Sequence, residues 1–328
     1  MPVASIPVGA AEILRIPGPP GGQPLGLRER RCRDTTNKPP IILIHGATLG
    51  AALFDLPCAG YSLMEALAAD GRAVYALDIR GYGHSINGGP MDEPLEDNPP
   101  FARLSDATDD IHCAVEFVRK REQANEIDMI GFSWGTVTCG AYAGRYPRLV
   151  RRLALYAPLY AQVNEGWRNL IGDPADRTRI SPQIGAYRFI SERDLLERWD
   201  RDLGVPDPSR HREDVIVRAI FEAFAMIDPT SRTRSPPSFR SPTGALADLI
   251  SVFNGRPLYD PGKLTMPVLL IRGSLDTTST DNDTRTLLAA IPSSGKKYVQ
   301  VPGGSHFVCV EKNRGYLYDE LGDFFRSF

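Results

Sequence analysis

The sequence predicts an α/β protein, a mostly parallel sheet with helices on both faces and a mostly helical insertion. Apolar runs that read as buried strands alternate with amphipathic stretches from about residue 40 to residue 158. The alternation stops for about one hundred residues and resumes from about residue 264. One domain over residues 1–158 and 264–328, with a cap inserted at 159–263, accounts for both facts.

Before residue 40 a Pro/Gly-rich stretch, PGPPGGQP, separates two short strand-like runs, the pattern of an edge hairpin. PIILIHG is short, β-branched and bounded by proline and glycine, which predicts a fully buried strand. A helix follows near YSLMEALAAD, stopped by Gly71, and RAVYALDIRG reads as a second buried strand. After a long Pro/Gly/Asp-rich loop, Ile111, Val115 and Val118 recur at helical spacing within a helix from about Ser105 to Arg121. EIDMIGFS, a helix over TVTCGAYAGRY ending before Pro147, and the strand LVRRLALYAP complete the first block. From about Leu159 to Lys263 the apolar spacing looks helical and no buried strand is evident. The second block runs PVLLIRGSLD, a helix near DTRTLLAAI, the strand KKYVQVPG and a final helix to Phe328.

Composition excludes several classes. Hydrophobic residues make up 42% and charged residues 24% of 328, as in an ordinary globular protein. A formal net charge of -2 offers nothing to nucleic acid. Positive charge is almost all arginine, with six lysines, a bias that runs along the whole chain and reads as base composition. The five cysteines, Cys32, Cys58, Cys113, Cys139 and Cys309, form no C-x-x-C or Cys/His cluster, so neither a disulfide framework nor a metal site is expected. The N-terminal stretch lacks a basic head and a long apolar core, so it reads as neither secretory signal nor membrane span. The expectation is a cytoplasmic enzyme acting on a small molecule, without cofactor.

The strongest local signal is Gly131-Phe132-Ser133-Trp134-Gly135, a G-x-S-x-G pentapeptide joining a buried strand directly to a helix. Two glycines permit a sharp, crowded turn that lifts the serine above the sheet, and the helix N-terminus favours negative charge there.

On these residues the chain resembles the α/β-hydrolase family, over about residues 40–158 and 264–328. His45-Gly46 ends the first main strand, where that family places an oxyanion loop. Asp78-Ile79-Arg80-Gly81-Tyr82-Gly83-His84-Ser85 resembles its D-x-R-G-x-G-x-S loop. Asp276 stands in a G-x-x-D pattern after PVLLIRGSLD begins, and His306 follows the last strand in GGSHF. The resemblance implies an eight-stranded, mostly parallel sheet with a helical cap. It also implies Ser133 as nucleophile, His306 as general base and Asp276 as the acid orienting the imidazole. The backbone N–H groups of Trp134 and Ala47 are the expected oxyanion donors. Among the other histidines, His45 supports the oxyanion loop and is a candidate for the pocket wall, His84 is structural, His112 sits mid-helix, and His211 is expected to be merely exposed.

Serine at the elbow argues against the family's dehalogenases and epoxide hydrolases, which use aspartate. HGATLG and DIRG, in place of HGGPG and DQRG, weaken a proline iminopeptidase reading. Carboxylic ester hydrolysis is the main expectation, with C–C bond hydrolysis as the rival, and lactonase, amidase and thioesterase chemistry open. A receptor on the same fold is the non-enzyme alternative. The cap is rich in aromatics, and Trp167 and Phe224 are the residues expected to shape an apolar pocket. Balanced cap charge argues against a strongly ionic substrate, and DPTSRTRSPPSFRSP reads as a mobile lid segment.

Overall fold

The computed structural model describes residues 8–32, 38–86 and 88–326, so the first seven residues of the N-terminal stretch lie outside it. An edge hairpin comes first, β1 (Glu12–Ile16) and β2 (Leu25–Arg30), paired antiparallel. The first block then runs β3 (Ile41–Ile44), α1 (Leu63–Ala68), β4 (Val74–Leu77), α2 (Leu104–Glu122), β5 (Ile127–Phe132), α3 (Trp134–Arg145) and β6 (Val150–Tyr156). An inserted segment holds α4 (Glu165–Ile171), β7 (Tyr187–Ser191), α5 (Glu192–Leu203), α6 (Asp214–Ala225), β8 (Ser238–Pro242) and α7 (Gly244–Val252). The chain returns through β9 (Val268–Gly273), α8 (Asp281–Ala290), β10 (Lys296–Val301) and α9 (Arg314–Arg326).

Eight strands form one sheet in the order β1-β2-β4-β3-β5-β6-β9-β10, parallel from β4 to β10. Its central strands are buried on both faces, and successive side chains point to opposite sides. Ile41 and Leu43 of β3 pack into one apolar layer with Leu63, Met64, Leu317 and Phe325 of α1 and α9. Ile42 and Ile44 enter the other layer with Ile111, Val115, Val137 and Leu287 of α2, α3 and α8. Burying both faces in this way is what makes the sheet a rigid platform.

The insertion differs from the sequence expectation in one place. It contains a two-stranded antiparallel sheet, with Tyr187 opposite Pro242 and Ser191 opposite Ser238. Five-residue strands are too short for their period to stand out from helical spacing. The strand formers in YRFIS were the available signal. The stretch DPTSRTRSPPSFRSP, which reads as a lid segment in the sequence, contains β8 and a buried acidic residue. It folds around Asp228, which is buried. Its carboxylate accepts hydrogen bonds from Arg234 Nη1 at 3.0 Å and Arg240 N at 2.9 Å. Burial opposes that charge, but the two guanidinium groups outweigh it and hold the Asp228 pKa low. No helix among the described residues is long and apolar enough to cross a membrane.

Candidate active site

Each expected landmark sits at the C-terminal edge of the parallel strands, where open α/β sheets bind ligands. β5 ends at Phe132 and α3 begins at Trp134, leaving Ser133 alone in the turn at φ 57°, ψ -120°. That left-handed conformation is costly for a serine and is held by crowding on both sides. A Cβ on Gly131 would lie 2.3 Å from the Gly135 carbonyl oxygen, and one on Gly135 2.4 Å from that of Ile44. Only glycines fit both positions, which is the physical content of the G-x-S-x-G pattern.

Ser133 Oγ lies 2.9 Å from His306 Nε2, and His306 Nδ1 lies 2.8 Å from Asp276 Oδ2. All three residues are buried. The sequence separations are 173 and 30 residues, so the chain converges on this chain of contacts from three separate turns. Asp276 Oδ1 accepts from the backbone N–H groups of Thr278 and Ser279, both at 2.8 Å. Burial raises the Asp276 pKa, but the charge and hydrogen bond of His306 and the Ser279 N–H overcome this and leave it below the ordinary carboxylate value. The His306 carbonyl accepts from Tyr156 Oη at 2.8 Å, which fixes the backbone of its loop.

The loop after β3 is fixed by two buried groups. Asp78 Oδ1 accepts from Ala51 N at 2.7 Å and Oδ2 from His84 N at 3.0 Å. Burial pushes the Asp78 pKa up to about 6 against those two bonds. A Cβ on Gly83 would lie 2.4 Å from the same carboxylate, and Gly83 has φ 45°. His45 Nε2 accepts from Ile79 N at 3.1 Å, and a backbone N–H can only donate. The ring is therefore neutral with its proton on Nδ1, which donates to the Gly46 carbonyl at 2.8 Å. Burial lowers the His45 pKa to about 4, although the Gly46 carbonyl opposes the shift. Neither Ala47 N nor Trp134 N donates to a protein group among the described residues.

A cavity of about 280 Å³ opens over Ser133 and His306. Gly46, Ala47 and Thr48 form one side, and Trp167, Arg188, Leu195 and Arg198 of the insertion form another. Of the three expected pocket residues, only Trp167 lines it. His45 is fully buried behind the loop. Phe224 packs on Phe239 with ring centroids 5.2 Å apart, inside the apolar layer of the insertion. An aromatic at helical spacing had two faces to choose between, and packing took this one. Among the other histidines, His211 is half-buried and its Nδ1 lies 2.9 Å from the Gly303 carbonyl, so it is not a free surface group. His112 stacks on Tyr146 at 4.7 Å.

Sequence reasoning missed Arg188 in the cavity wall. It also missed Asp248, whose Oδ2 accepts from Trp134 Nε1 at 3.2 Å, and Glu311 beneath the His306 loop. In an arginine-rich chain no pattern marked Arg188 apart from its neighbours. Among the described residues no group of three or more His, Cys, Asp or Glu could hold a metal ion.

The model of the alpha/beta hydrolase family matches residues 41–317. The chain belongs to that family. No curated protein matches it. Solved structures share the fold of this alpha/beta hydrolase at low identity. A serine hydrolase from the polyaromatic hydrocarbon-degrading bacterium Cycloclasticus zankles is 16% identical, with 96% of this chain and 98% of that one covered and a TM-score of 0.63. A meta-cleavage product hydrolase from Pseudomonas fluorescens is 17% identical, with 97% of each chain covered and a TM-score of 0.61. An enol-lactonase from Burkholderia xenovorans is 18% identical, with 92% and 97% covered and a TM-score of 0.58.

Proposed function

We propose that this alpha/beta hydrolase is a serine hydrolase that cleaves a small or medium carboxylic ester through an acyl-serine intermediate. The observation that carries this reading is the continuous contact from Ser133 Oγ through His306 to Asp276, at 2.9 and 2.8 Å. A serine hydroxyl is un-ionised at neutral pH and needs a base in contact with it. His306 Nε2 takes the proton as Ser133 Oγ attacks the carbonyl carbon. Asp276 keeps the other ring proton on Nδ1 and stabilises the imidazolium. The oxyanion is received by the N–H groups of Trp134 and Ala47, which have no competing protein acceptor among the described residues. His306 then returns its proton to the alcohol as the ester C–O bond breaks. Water attacks the acyl-serine with the same base, and the acid leaves. No step uses a cofactor.

Residues 159–263 act as a lid whose cavity side selects the substrate, since Trp167, Arg188 and Leu195 face Ser133 across the cavity. Five cysteines that form no C-x-x-C or Cys/His cluster suit a reducing compartment, and we place the enzyme in the cytoplasm. The test is a screen of purified protein on esters, lactones, amides and β-diketones, with fluorophosphonate labelling. Wild type should label and release alcohol from esters, and Ser133→Ala should do neither. Release of a carbon acid from β-diketones without ester turnover would replace this reading with C–C hydrolysis.

A further inference from the structure

Arg188 sits on β7 and lines the cavity over Ser133. Its Nη2 donates to Thr48 Oγ1 at 2.7 Å, a neutral acceptor one residue beyond Ala47. Among the described residues it forms no ion pair, and its Nε is buried without any acceptor. Among the described residues Nη1 and the second N–H of Nη2 also lack protein acceptors, so the end of the guanidinium fork is open to the cavity. Burial lowers the Arg188 pKa ahead of every other influence, Arg198 lowers it further, and Tyr82 and Asp194 oppose the shift. The group stays cationic, because arginine does not deprotonate in proteins.

The other charged groups in the cavity wall are Asp194, Glu197, Arg198 and Arg201. Asp194 caps α5, accepting from Ser191 N at 2.8 Å. Glu197 pairs with Arg193 at 2.6 Å. Arg198 is matched by Asp202 at 2.8 Å. Arg188 is partly buried, its Nε is shut off from water without an acceptor, and Asp194 offsets its charge only from beyond ion-pair distance. What fits beside it is an anion that arrives with the ligand. A planar, singly charged carboxylate matches the free fork of the guanidinium.

We propose that the cavity binds a substrate bearing a free carboxylate, and that Arg188 is the residue that holds it. The inference deepens the ester hydrolysis proposed above, on which its kinetic test rests. The favoured substrate class is a half-ester or keto-acid-like ester whose carboxylate lies against β7 while its scissile carbonyl lies at Ser133. This departs from the expectation drawn from balanced cap charge. A net balance over about one hundred residues says nothing about which charges face one cavity.

The experiment compares two p-nitrophenyl esters of matched shape, the glutarate half-ester and the neutral 5-methylhexanoate. Wild type should prefer the half-ester in kcat/KM, and Arg188→Met should reduce that preference by about 10–100-fold, mainly through KM, as expected for losing a hydrogen bond to a charged group. Arg188→Lys should retain part of it. Removing a partly buried charge that makes no ion pair among the described residues should leave Tm equal or higher in Arg188→Met, so a folded variant is expected. An unchanged ratio, with both esters slowed alike, overturns the subsite. Calorimetric binding of the half-ester to Ser133→Ala, with and without Arg188→Met, reads the same subsite without turnover. Binding that depends on Arg188 in a protein hydrolysing neither ester would remove the esterase reading and keep the subsite. Turnover without charge preference would do the reverse.

Discussion

Trp199 Nε1 donates a hydrogen bond of 2.8 Å to Glu311 Oε1, tying helix α5 of the insertion to the turn that carries His306. The other Glu311 oxygen accepts from Ser305 N at 3.0 Å, and Ser305 Oγ donates to the first. Burial raises the Glu311 pKa, and the bonds from Ser305 and Trp199 work against it. Three donors converge on one fully buried carboxylate next to the proposed base. The insertion is therefore anchored to the histidine side of the site here, and to the elbow through Asp248 and Trp134.

Glu311→Gln should cost stability and turnover together. An amide offers one oxygen to donors that now meet two, and it points an NH2 at either Trp199 Nε1 or Ser305 N, neither of which can accept. Leaving one buried donor unmade costs about 1–3 kcal/mol. The Tm should fall, and kcat should fall more than KM rises because Ser305 precedes His306. Trp199→Phe should lower Tm less, since it removes one donor and leaves the carboxylate two. Unchanged melting and kcat in both variants would show the anchor to be idle.

Asp276→Asn tests the acid through its tautomer. Oδ1 is held by two backbone donors, Thr278 N and Ser279 N. The asparagine oxygen must therefore stay there, which turns its NH2 toward His306 Nδ1. That nitrogen becomes an acceptor, and the ring proton moves to Nε2, where it blocks proton transfer from Ser133. The loss in kcat should be on the order of 10⁴-fold with KM little changed. A loss below about 10-fold would show that Asp276 is not the orienting acid.

The parts of this site that were legible in the sequence are those fixed by the backbone. Gly131 and Gly135 announce a crowded turn because no other residue fits, and the strand runs around Ile41, Met129 and Leu269 are apolar because both faces are buried. The cavity wall was not legible. Phe224 and Trp167 are both aromatics on helices of the insertion, and only tertiary packing, α6 against β8 for Phe224 and the stack on Phe253 for Trp167, decides that one is core and the other borders the cavity. Arg188 was hidden for a related reason. Whether an arginine is matched depends on how the carboxylates around it are placed in space, here Asp194 and Glu197 of α5, and their spacing along the chain does not fix that.

His45 should make stability depend on pH with a definite sign. Its folded pKa is lowered to about 4, below the roughly 6.5 of an unfolded histidine. Between these values the unfolded chain binds the extra proton, so its contribution is complete above about pH 6.5 and is lost as pH falls toward 4. His45→Gln removes this dependence. The cost of that substitution should therefore shrink by about 2–3 kcal/mol between pH 7.5 and pH 4.5. Urea unfolding at the two pH values measures it. A constant difference would mean that His45 titrates in the folded protein as it does in the unfolded chain.

The last prediction separates Trp167 from Phe224. Trp167 stacks on Phe253 with centroids 5.3 Å apart, lies 4.5 Å from the Arg198 guanidinium carbon, and borders the cavity. Replacing it with alanine enlarges the space beside the acyl group. Discrimination between short and long esters should shift by about 1–3 kcal/mol per methylene-sized contact. Its Nε1 also donates to Thr278 Oγ1 at 3.1 Å, two residues beyond Asp276. Trp167→Phe is the control, because it keeps a stacking ring and loses that bond. A change in chain-length preference in the alanine variant, absent in the phenylalanine one, assigns the effect to cavity shape. Phe224→Ala should behave differently. It opens a hole in the layer formed with Phe221 and Phe239, at a cost of about 3–5 kcal/mol. It should lower Tm and slow all esters by one common factor. If Phe224→Ala altered chain-length preference while Trp167→Ala did not, the cavity would be lined by the other face of the insertion, and the arrangement of α4 and α6 about Ser133 would have to be redrawn.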